Sequence, residues 1–249
     1  MKTQAGIMAR NGGITRGAVL LSLFLLFWWC AGTDGPAAAW AAAPGVITSG
    51  ASSTPEVALT FDDGPSPRFT PQILDLLERY QAQGTFFVLG KRVEQHPELI
   101  QEMIQAGHEV GIHTYSHPRL PTLNPLRRAF ELERTWLALH LLGCPDTGIV
   151  RPPYSDYDQP LLSYLAHTNR EMILWNVDSG DWQGLDARTI AGRVLSRVKN
   201  GAIIIFHDSD EYARADRTPT VEALKLILPA LHQAGYLLVT LSHLLDEGK

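Results

Sequence analysis

Alternating strand and helix patterns between residues 57 and 241 constrain the fold of this chain more than any other feature. Short apolar segments rich in β-branched residues alternate with longer segments whose apolar residues follow a helical period. Strands that are apolar on both faces and alternate with helices are typical of a parallel sheet. Seven such strands in one domain favour an α/β barrel over an open sheet. The predicted strands are 57–61, 84–90, 109–112, 148–150, 172–177, 202–206 and 236–241.

The segments between these strands carry helix signals. Thr70 and Pro71 are interpreted as the cap and first turn of one helix, and Gly107 as the stop signal of the next. The predicted helices are 70–80, 97–106, 124–142, 159–167, 186–198 and 220–234.

The N-terminal segment differs in kind from the rest. Basic residues precede an uncharged apolar run at 17–29, and the alanine-rich stretch 37–43 offers small residues at A-x-A spacing. This layout predicts that 1–43 is an export signal or, if uncleaved, a membrane anchor. A linker at 44–55 and one globular domain at 56–249 would follow. We therefore expect the domain to be exported, with membrane contact only through the N-terminal segment.

Composition excludes one class of partner. The 249 residues carry a formal net charge of −5 and show no basic footprint for nucleic acid. With 45% hydrophobic residues, the chain can bury one large core. We expect a monomer.

Two adjacent carboxylates, Asp62 and Asp63, end the strand 57–61, and Gly64-Pro65 follows. Neighbouring side chains of a strand point to opposite faces, so both serve one site only where the chain turns. Close carboxylates are costly unless a cation neutralises one of them. The pair predicts one metal ligand beside one free base. A solvated turn is the alternative.

His113 and His117 follow the strand 109–112, and Pro118 discourages a continuing helix. In a parallel barrel the loops at the C-terminal strand ends meet on one face. Two imidazoles joined there by Asp63 make a zinc-type donor set with open positions. The spacing of the histidines alone is also compatible with a surface coincidence.

Two further segments, 151–154 and 178–182, each follow a predicted strand. Arg151 is placed to pair with Asp62, and the amide of Tyr154 to stabilise an oxyanion. The acidic segment 178–182 offers a carboxylate to orient a histidine, and Trp182 an apolar wall for a sugar ring. The alternatives are a rigid loop with a structural arginine and an acidic turn with a packed tryptophan.

His207 ends the apolar run 202–206 and is well placed as a general acid. A satisfied structural histidine is the alternative. The charged segment 210–217 that follows is interpreted as a solvated loop rather than the rim of a groove.

Together these segments resemble the polysaccharide deacetylases of the NodB-homology type, carbohydrate esterase family four. The resemblance covers about residues 55–245. Its motifs are Thr60–Pro65, His113–His117, Arg151–Tyr154, Asp178–Trp182 and Ile205–His207.

The resemblance implies a distorted (β/α) barrel of about seven parallel strands and one divalent metal ion, zinc, with cobalt, nickel or manganese as alternatives. Asp63, His113 and His117 would be the ligands. Ile205 stands where the family usually has leucine, which predicts at most a changed pocket for the acetyl methyl group.

The resemblance also implies a role for each remaining motif residue. Asp62 would be the general base, held by Arg151, and His207 the general acid, oriented by Asp181. Tyr154 would donate its amide to the oxyanion. The substrate would contact Tyr154, Trp182 and Ile205.

The implied activity is metal-dependent hydrolysis of N-acetyl groups from an extracellular amino-sugar polymer, releasing acetate. The export signal favours peptidoglycan. Chitin, poly-N-acetylglucosamine and O-acetylated xylan are alternative substrates. Alternatives of another class are a catalytically silent glycan-binding module and a metal amidohydrolase acting on a small non-sugar amide.

Overall fold

The computed structural model describes residues 45–50 and 53–246, which lie in one compact unit. The predicted signal or anchor at 1–43 lies outside the described residues. No helix in the described ranges combines the length and hydropathy that a membrane crossing requires.

The strands are β1 (Val46–Ile47), β2 (Glu56–Asp62), β3 (Gly84–Val88), β4 (Glu109–Ile112), β5 (Ile149–Val150), β6 (Glu171–Ile173), β7 (Val177–Asp178), β8 (Ala202–His207) and β9 (Leu237–Leu238). The helices are α1 (Thr70–Arg79), α2 (Gly90–Gln95), α3 (Pro97–Gln105), α4 (Pro125–Leu141), α5 (Gln159–His167), α6 (Ala187–Leu195), α7 (Thr218–Gln233) and α8 (Leu241–Asp246).

The strands form one curled sheet in the order β1-β6-β5-β4-β3-β2-β8-β7, and β9 pairs with the beginning of β2. Every pairing between these named strands is parallel. The predicted α/β class and distorted barrel are confirmed. In a parallel arrangement all C-terminal strand ends lie on one rim, which positions the polar segments together.

The segment predicted as one strand at 172–177 is two strands: β6, which lies next to the edge strand β1, and β7, which forms the opposite edge of the sheet. Residues 174–176 connect these two strands. The amide of Leu174 donates to the Ile47 carbonyl (2.7 Å), and the amide of Asn176 donates to the Ile203 carbonyl (3.2 Å). Residues 174–176, here called the seam, therefore bridge the two ends of the sheet. Leu174 bonds to β1 at one end, and Asn176 bonds to β8 at the other.

Other boundaries differ from the predictions. Strand β1 lies in the segment 44–55 that was predicted to be a linker, because Val46 and Ile47 pair with β6. Thr70 does not cap α1; Phe69 occupies the cap position, and the Thr70 hydroxyl donates to the buried Asp208 carboxylate. The short helices α2 and α8, of six residues each, were not predicted.

The central strands are buried on both faces. All seven residues of β2 and all five of β3 are buried. Phe61 stacks between Phe86 and Phe206, with ring centroids 4.9 and 5.7 Å apart. This aromatic layer fixes the relative positions of β2, β3 and β8, whose C-terminal ends carry the site.

Candidate active site

The site begins where β2 and β8 end. Asp62 is the last residue of β2, and its partner in the parallel register is His207, the last residue of β8. Asp63 follows with a φ of 77°, so the chain turns out of the sheet immediately after Asp62. This turn is what allows both carboxylates to face one cleft.

Asp63, His113 and His117 form a three-donor cluster. Asp63 Oδ1 lies 3.1 Å from His117 Nε2 and 3.5 Å from His113 Nε2. All three donor atoms lie within 4.8 Å of one another. Asp63 Oδ1 is buried and has no hydrogen-bond partner among the described residues. An orphaned buried oxygen beside two imidazole nitrogens is the arrangement that a cation would complete.

Two of these donors, His113 and Asp63, have protonation states that suit a cation. Burial lowers the pKa of His117, but the contacts with Asp63 and Glu211 outweigh it and raise that pKa. His113 Nδ1 lies 2.7 Å from the Arg151 carbonyl, which only accepts, so Nδ1 carries the proton and Nε2 presents its lone pair. Burial lowers the pKa of His113, which keeps the ring neutral. Burial raises the pKa of Asp63, but the contact with His117 and the charges nearby outweigh it and hold that pKa well below its usual range. The donor set therefore fits a divalent metal ion.

The backbone around the cluster is strained. Asp63, Thr114, His117 and Tyr154 all have left-handed backbones, with φ between 60° and 77°. For residues other than glycine this costs roughly 1–2 kcal/mol each. Such strain persists only where the surroundings fix it, and it commonly collects at functional sites.

Glu131 of α4 holds the loop between the two histidines. Its carboxylate accepts the backbone amides of Tyr115 (2.9 Å) and Ser116 (2.7 Å) and the Ser116 hydroxyl (2.7 Å). A buried carboxylate that accepts three donors fixes the loop more strongly than neutral acceptors would. The left-handed positions at Thr114 and His117 are thus supported from outside the cleft.

Arg151 lies against Asp62, as the sequence suggested. Its Nη1 donates to Asp62 Oδ1 at 2.7 Å and to the Thr60 hydroxyl at 2.8 Å. Arg151 is fully buried, and its Nη2 donates to the Leu174 carbonyl in the seam. The second oxygen of Asp62 faces the cluster, 4.0 Å from His113 Nε2.

Asp181 lies against His207. Its Oδ1 is 2.8 Å from His207 Nδ1, and its Oδ2 accepts the His207 amide (2.8 Å) and the Thr220 hydroxyl (2.9 Å). Burial lowers the pKa of His207, but the Asp181 carboxylate outweighs it and raises that pKa to about 9. Burial raises the pKa of Asp181, and the contact with His207 reverses the shift. At neutral pH this pair is a charged imidazolium and a carboxylate.

The predicted substrate contacts line one cleft of about 480 Å³, together with both aspartates and the histidines. Trp182 is 58% exposed and Tyr154 48% exposed, whereas Ile205 is buried in the wall. The Tyr154 ring packs edge-on against the His117 ring, with centroids 4.7 Å apart. The role of the Tyr154 amide stays a prediction.

Trp175, Arg217 and Glu211 were not predicted as site residues. Trp175 lies in the seam, and Arg217 precedes α7; both line the cleft. Glu211 belongs to the segment 210–217, which was interpreted as solvated. Its carboxylate instead lies 3.3 Å from His117 Nδ1. A charged segment directly after an active-site strand was the signal that would have identified it.

Comparison with known proteins agrees with this geometry. The polysaccharide deacetylase family model matches residues 49–173. A chitooligosaccharide deacetylase of Sinorhizobium fredii is 39% identical over 200 residues, which cover 75% of this chain and 90% of that protein. A peptidoglycan-N-acetylglucosamine deacetylase of Bacillus cereus is 35% identical over 201 residues, covering 81% and 72%.

A solved structure extends the comparison to three dimensions. The crystal structure of a peptidoglycan N-acetylglucosamine deacetylase superposes with a TM-score of 0.76 at 35% identity. The superposition covers 82% of this chain and 94% of that one. The chain therefore belongs to the polysaccharide deacetylase family, carbohydrate esterase family four, and is a deacetylase.

Proposed function

We propose that this enzyme removes N-acetyl groups from peptidoglycan glycan strands outside the cytoplasm, with Asp62 as general base and His207 as general acid. One observation carries the assignment of roles. Asp62 and His207 are register partners at the ends of β2 and β8, beside the Asp63–His113–His117 cluster. An acid and a base that flank one cation on one rim are the groups that amide hydrolysis requires.

The three-donor cluster would hold the metal ion. Zinc is the preferred ion, because two imidazoles and a carboxylate are a common ligand set for zinc, and cobalt, nickel or manganese are alternatives. Bound there, a divalent ion would polarise the acetamide carbonyl and lower the pKa of the attacking water.

The side chains of this chain then move the protons. Asp62 takes a proton from the attacking water through Oδ2, because Oδ1 is occupied by Arg151. Charge develops on the former carbonyl oxygen, where the Tyr154 amide is proposed to stabilise it. His207 gives its proton to the amine nitrogen as the carbon–nitrogen bond breaks. The products are acetate and a free amino sugar, and Asp181 fixes the orientation of His207 throughout.

Two observations support a polymeric sugar substrate. The cleft is open, and Trp182 and Tyr154 expose aromatic rings in it, which suits the apolar face of a sugar. The relative in Bacillus cereus and the crystal structure are both peptidoglycan N-acetylglucosamine deacetylases, and the predicted export signal gives access to that polymer. Chitooligosaccharides are the second candidate, because the relative in Sinorhizobium fredii is named for them.

The test is mass spectrometry of products from a substrate panel. Purified enzyme loaded with zinc is incubated with peptidoglycan fragments, N-acetylglucosamine oligomers and O-acetylated xylan, and acetate is measured in parallel. We expect a mass loss of one acetyl group per site, largest for peptidoglycan. Greater activity on chitin oligomers would overturn the preferred substrate. Glycan binding without any product would instead identify a silent binding module, and turnover of small non-sugar amides alone an amidohydrolase.

A further inference from the structure

Glu211 touches the outer side of the metal cluster. Its Oε2 lies 3.3 Å from His117 Nδ1 and accepts the Tyr154 hydroxyl at 3.1 Å. The opposite nitrogen of the same ring, Nε2, faces Asp63 at 3.1 Å. His117 thus lies between two carboxylates, one in the donor cluster and one behind it.

The position of Glu211 is fixed from α2. Lys91 Nζ donates to the Glu211 carbonyl at 2.7 Å, and Arg92 Nη2 donates to the Asp210 carbonyl at 2.6 Å. Arg92 is itself buried. Both contacts hold backbone carbonyls, so they fix the main chain at residues 210 and 211. The main chain in turn sets the position from which the Glu211 carboxylate reaches His117.

We propose that Glu211 is a positioning residue for the metal centre: its carboxylate accepts a hydrogen bond from the Nδ1–H of His117 and thereby aims the Nε2 lone pair at the cation. The inference rests on the proposed metal-dependent function and adds a residue to it. His113 has the equivalent arrangement with a neutral acceptor, the Arg151 carbonyl. A charged acceptor behind a ligating histidine fixes the ring and raises the basicity of the ligating nitrogen.

Tyr154 is the competing acceptor, since its hydroxyl oxygen lies 3.1 Å from His117 Nδ1. Its own proton is directed to Glu211, so the two groups form one network around His117. A carboxylate is the stronger acceptor of the two. We therefore assign the main positioning effect to Glu211.

Metal affinity, measured by competition with a chromophoric chelator, tests the assignment without relying on turnover. The variants are Glu211→Ala, Glu211→Gln and Tyr154→Phe, and the matched control is Glu222→Gln, an exposed acid on α7. We expect Glu211→Ala to weaken zinc binding about 10–100-fold. Glu211→Gln, whose amide oxygen still accepts, should lose less, and the control should match wild type. The cobalt-loaded Glu211→Ala protein should show an altered ligand-field spectrum.

Each result that contradicts the proposal has a different meaning. Unchanged zinc affinity in Glu211→Ala would overturn the proposal, as would a larger loss in Tyr154→Phe than in Glu211→Ala. Lys91→Met removes one of the two anchors of the loop but keeps the carboxylate. An equal loss in that variant would show that loop placement matters instead of the carboxylate. If wild type itself binds neither zinc nor cobalt, the proposed metal-dependent function fails first.

Discussion

Asp62 and His207 lie side by side on neighbouring parallel strands, each the last residue of its strand. Each is held by one oppositely charged partner, Arg151 for Asp62 and Asp181 for His207, at 2.7 and 2.8 Å. Asp62, Arg151 and Asp181 are buried, and the His207 side chain is 15% exposed. Burial and the Asp181 carboxylate therefore set the protonation of His207 more than solvent does.

Replacing the proposed base should lower the rate of hydrolysis. We expect Asp62→Asn to lower kcat by about 10²–10⁴, because general-base catalysis contributes that much. The measurement is acetate release under saturating substrate, with zinc content checked in both proteins. Equal rates in wild type and variant at equal metal content would contradict the role of Asp62.

Breaking the Arg151–Asp62 pair should cost stability. Arg151→Met leaves Asp62 buried without its cationic partner, which costs about 3–5 kcal/mol in the free energy of unfolding. Adding Asp62→Asn to Arg151→Met removes that unpaired charge and should restore part of the stability without restoring turnover. Denaturant unfolding of the single and double variants measures both effects. A double variant no more stable than Arg151→Met alone would argue against the buried-charge explanation.

The pH dependence should follow His207. A general acid works when protonated, and its pKa is raised to about 9, so kcat/KM should fall as pH rises through that value. Asp181→Asn removes the carboxylate that raises the pKa, while burial continues to lower it. The alkaline limb of the profile should therefore move to lower pH. An unshifted limb in Asp181→Asn would exclude this pair as its origin.

Metal removal should reduce both activity and thermal stability. A chelator takes away a ligand that binds only the folded state, and ligand at 100 times its Kd stabilises by about 2.7 kcal/mol. We expect activity and Tm to fall together and to return with zinc or cobalt. Full activity after verified removal of the metal would refute the proposed centre.

Glu131 should influence the metal site from behind the histidine loop. Glu131→Ala leaves the amides of Tyr115 and Ser116 without their acceptor, at a cost of about 1–3 kcal/mol. We expect a lower Tm and weaker zinc binding, because the loop carries both His113 and His117. The exposed Glu222→Gln serves as the control. Zinc affinity equal to wild type in Glu131→Ala would limit Glu131 to a purely structural role.

Much of the architecture could be predicted from local patterns. Strand β4 and helix α5 have the predicted bounds, because apolar runs and end signals are local properties. The motif residues converge because a parallel barrel brings every C-terminal strand end to one rim.

Features that depend on distant partners could not be predicted. Val46 and Ile47 form a strand only because β6 offers an edge. The division of 172–177 depends on the closure of the sheet, and the position of Glu211 depends on Lys91 of a helix that carries little periodic signal. Thr70 was misplaced for the same reason: its hydroxyl prefers a buried carboxylate that is 138 residues away in the chain.

The seam links the closure of the sheet to the position of the proposed base. The carbonyls of Ile173 and Leu174 accept hydrogen bonds from Arg151, and Arg151 in turn orients Asp62. A thermal fluctuation that parts the two edges of the sheet would release the guanidinium before the aromatic layer separates. We expect inactivation on heating to precede melting of the core, and a staple across the seam to widen the temperature range in which the enzyme works.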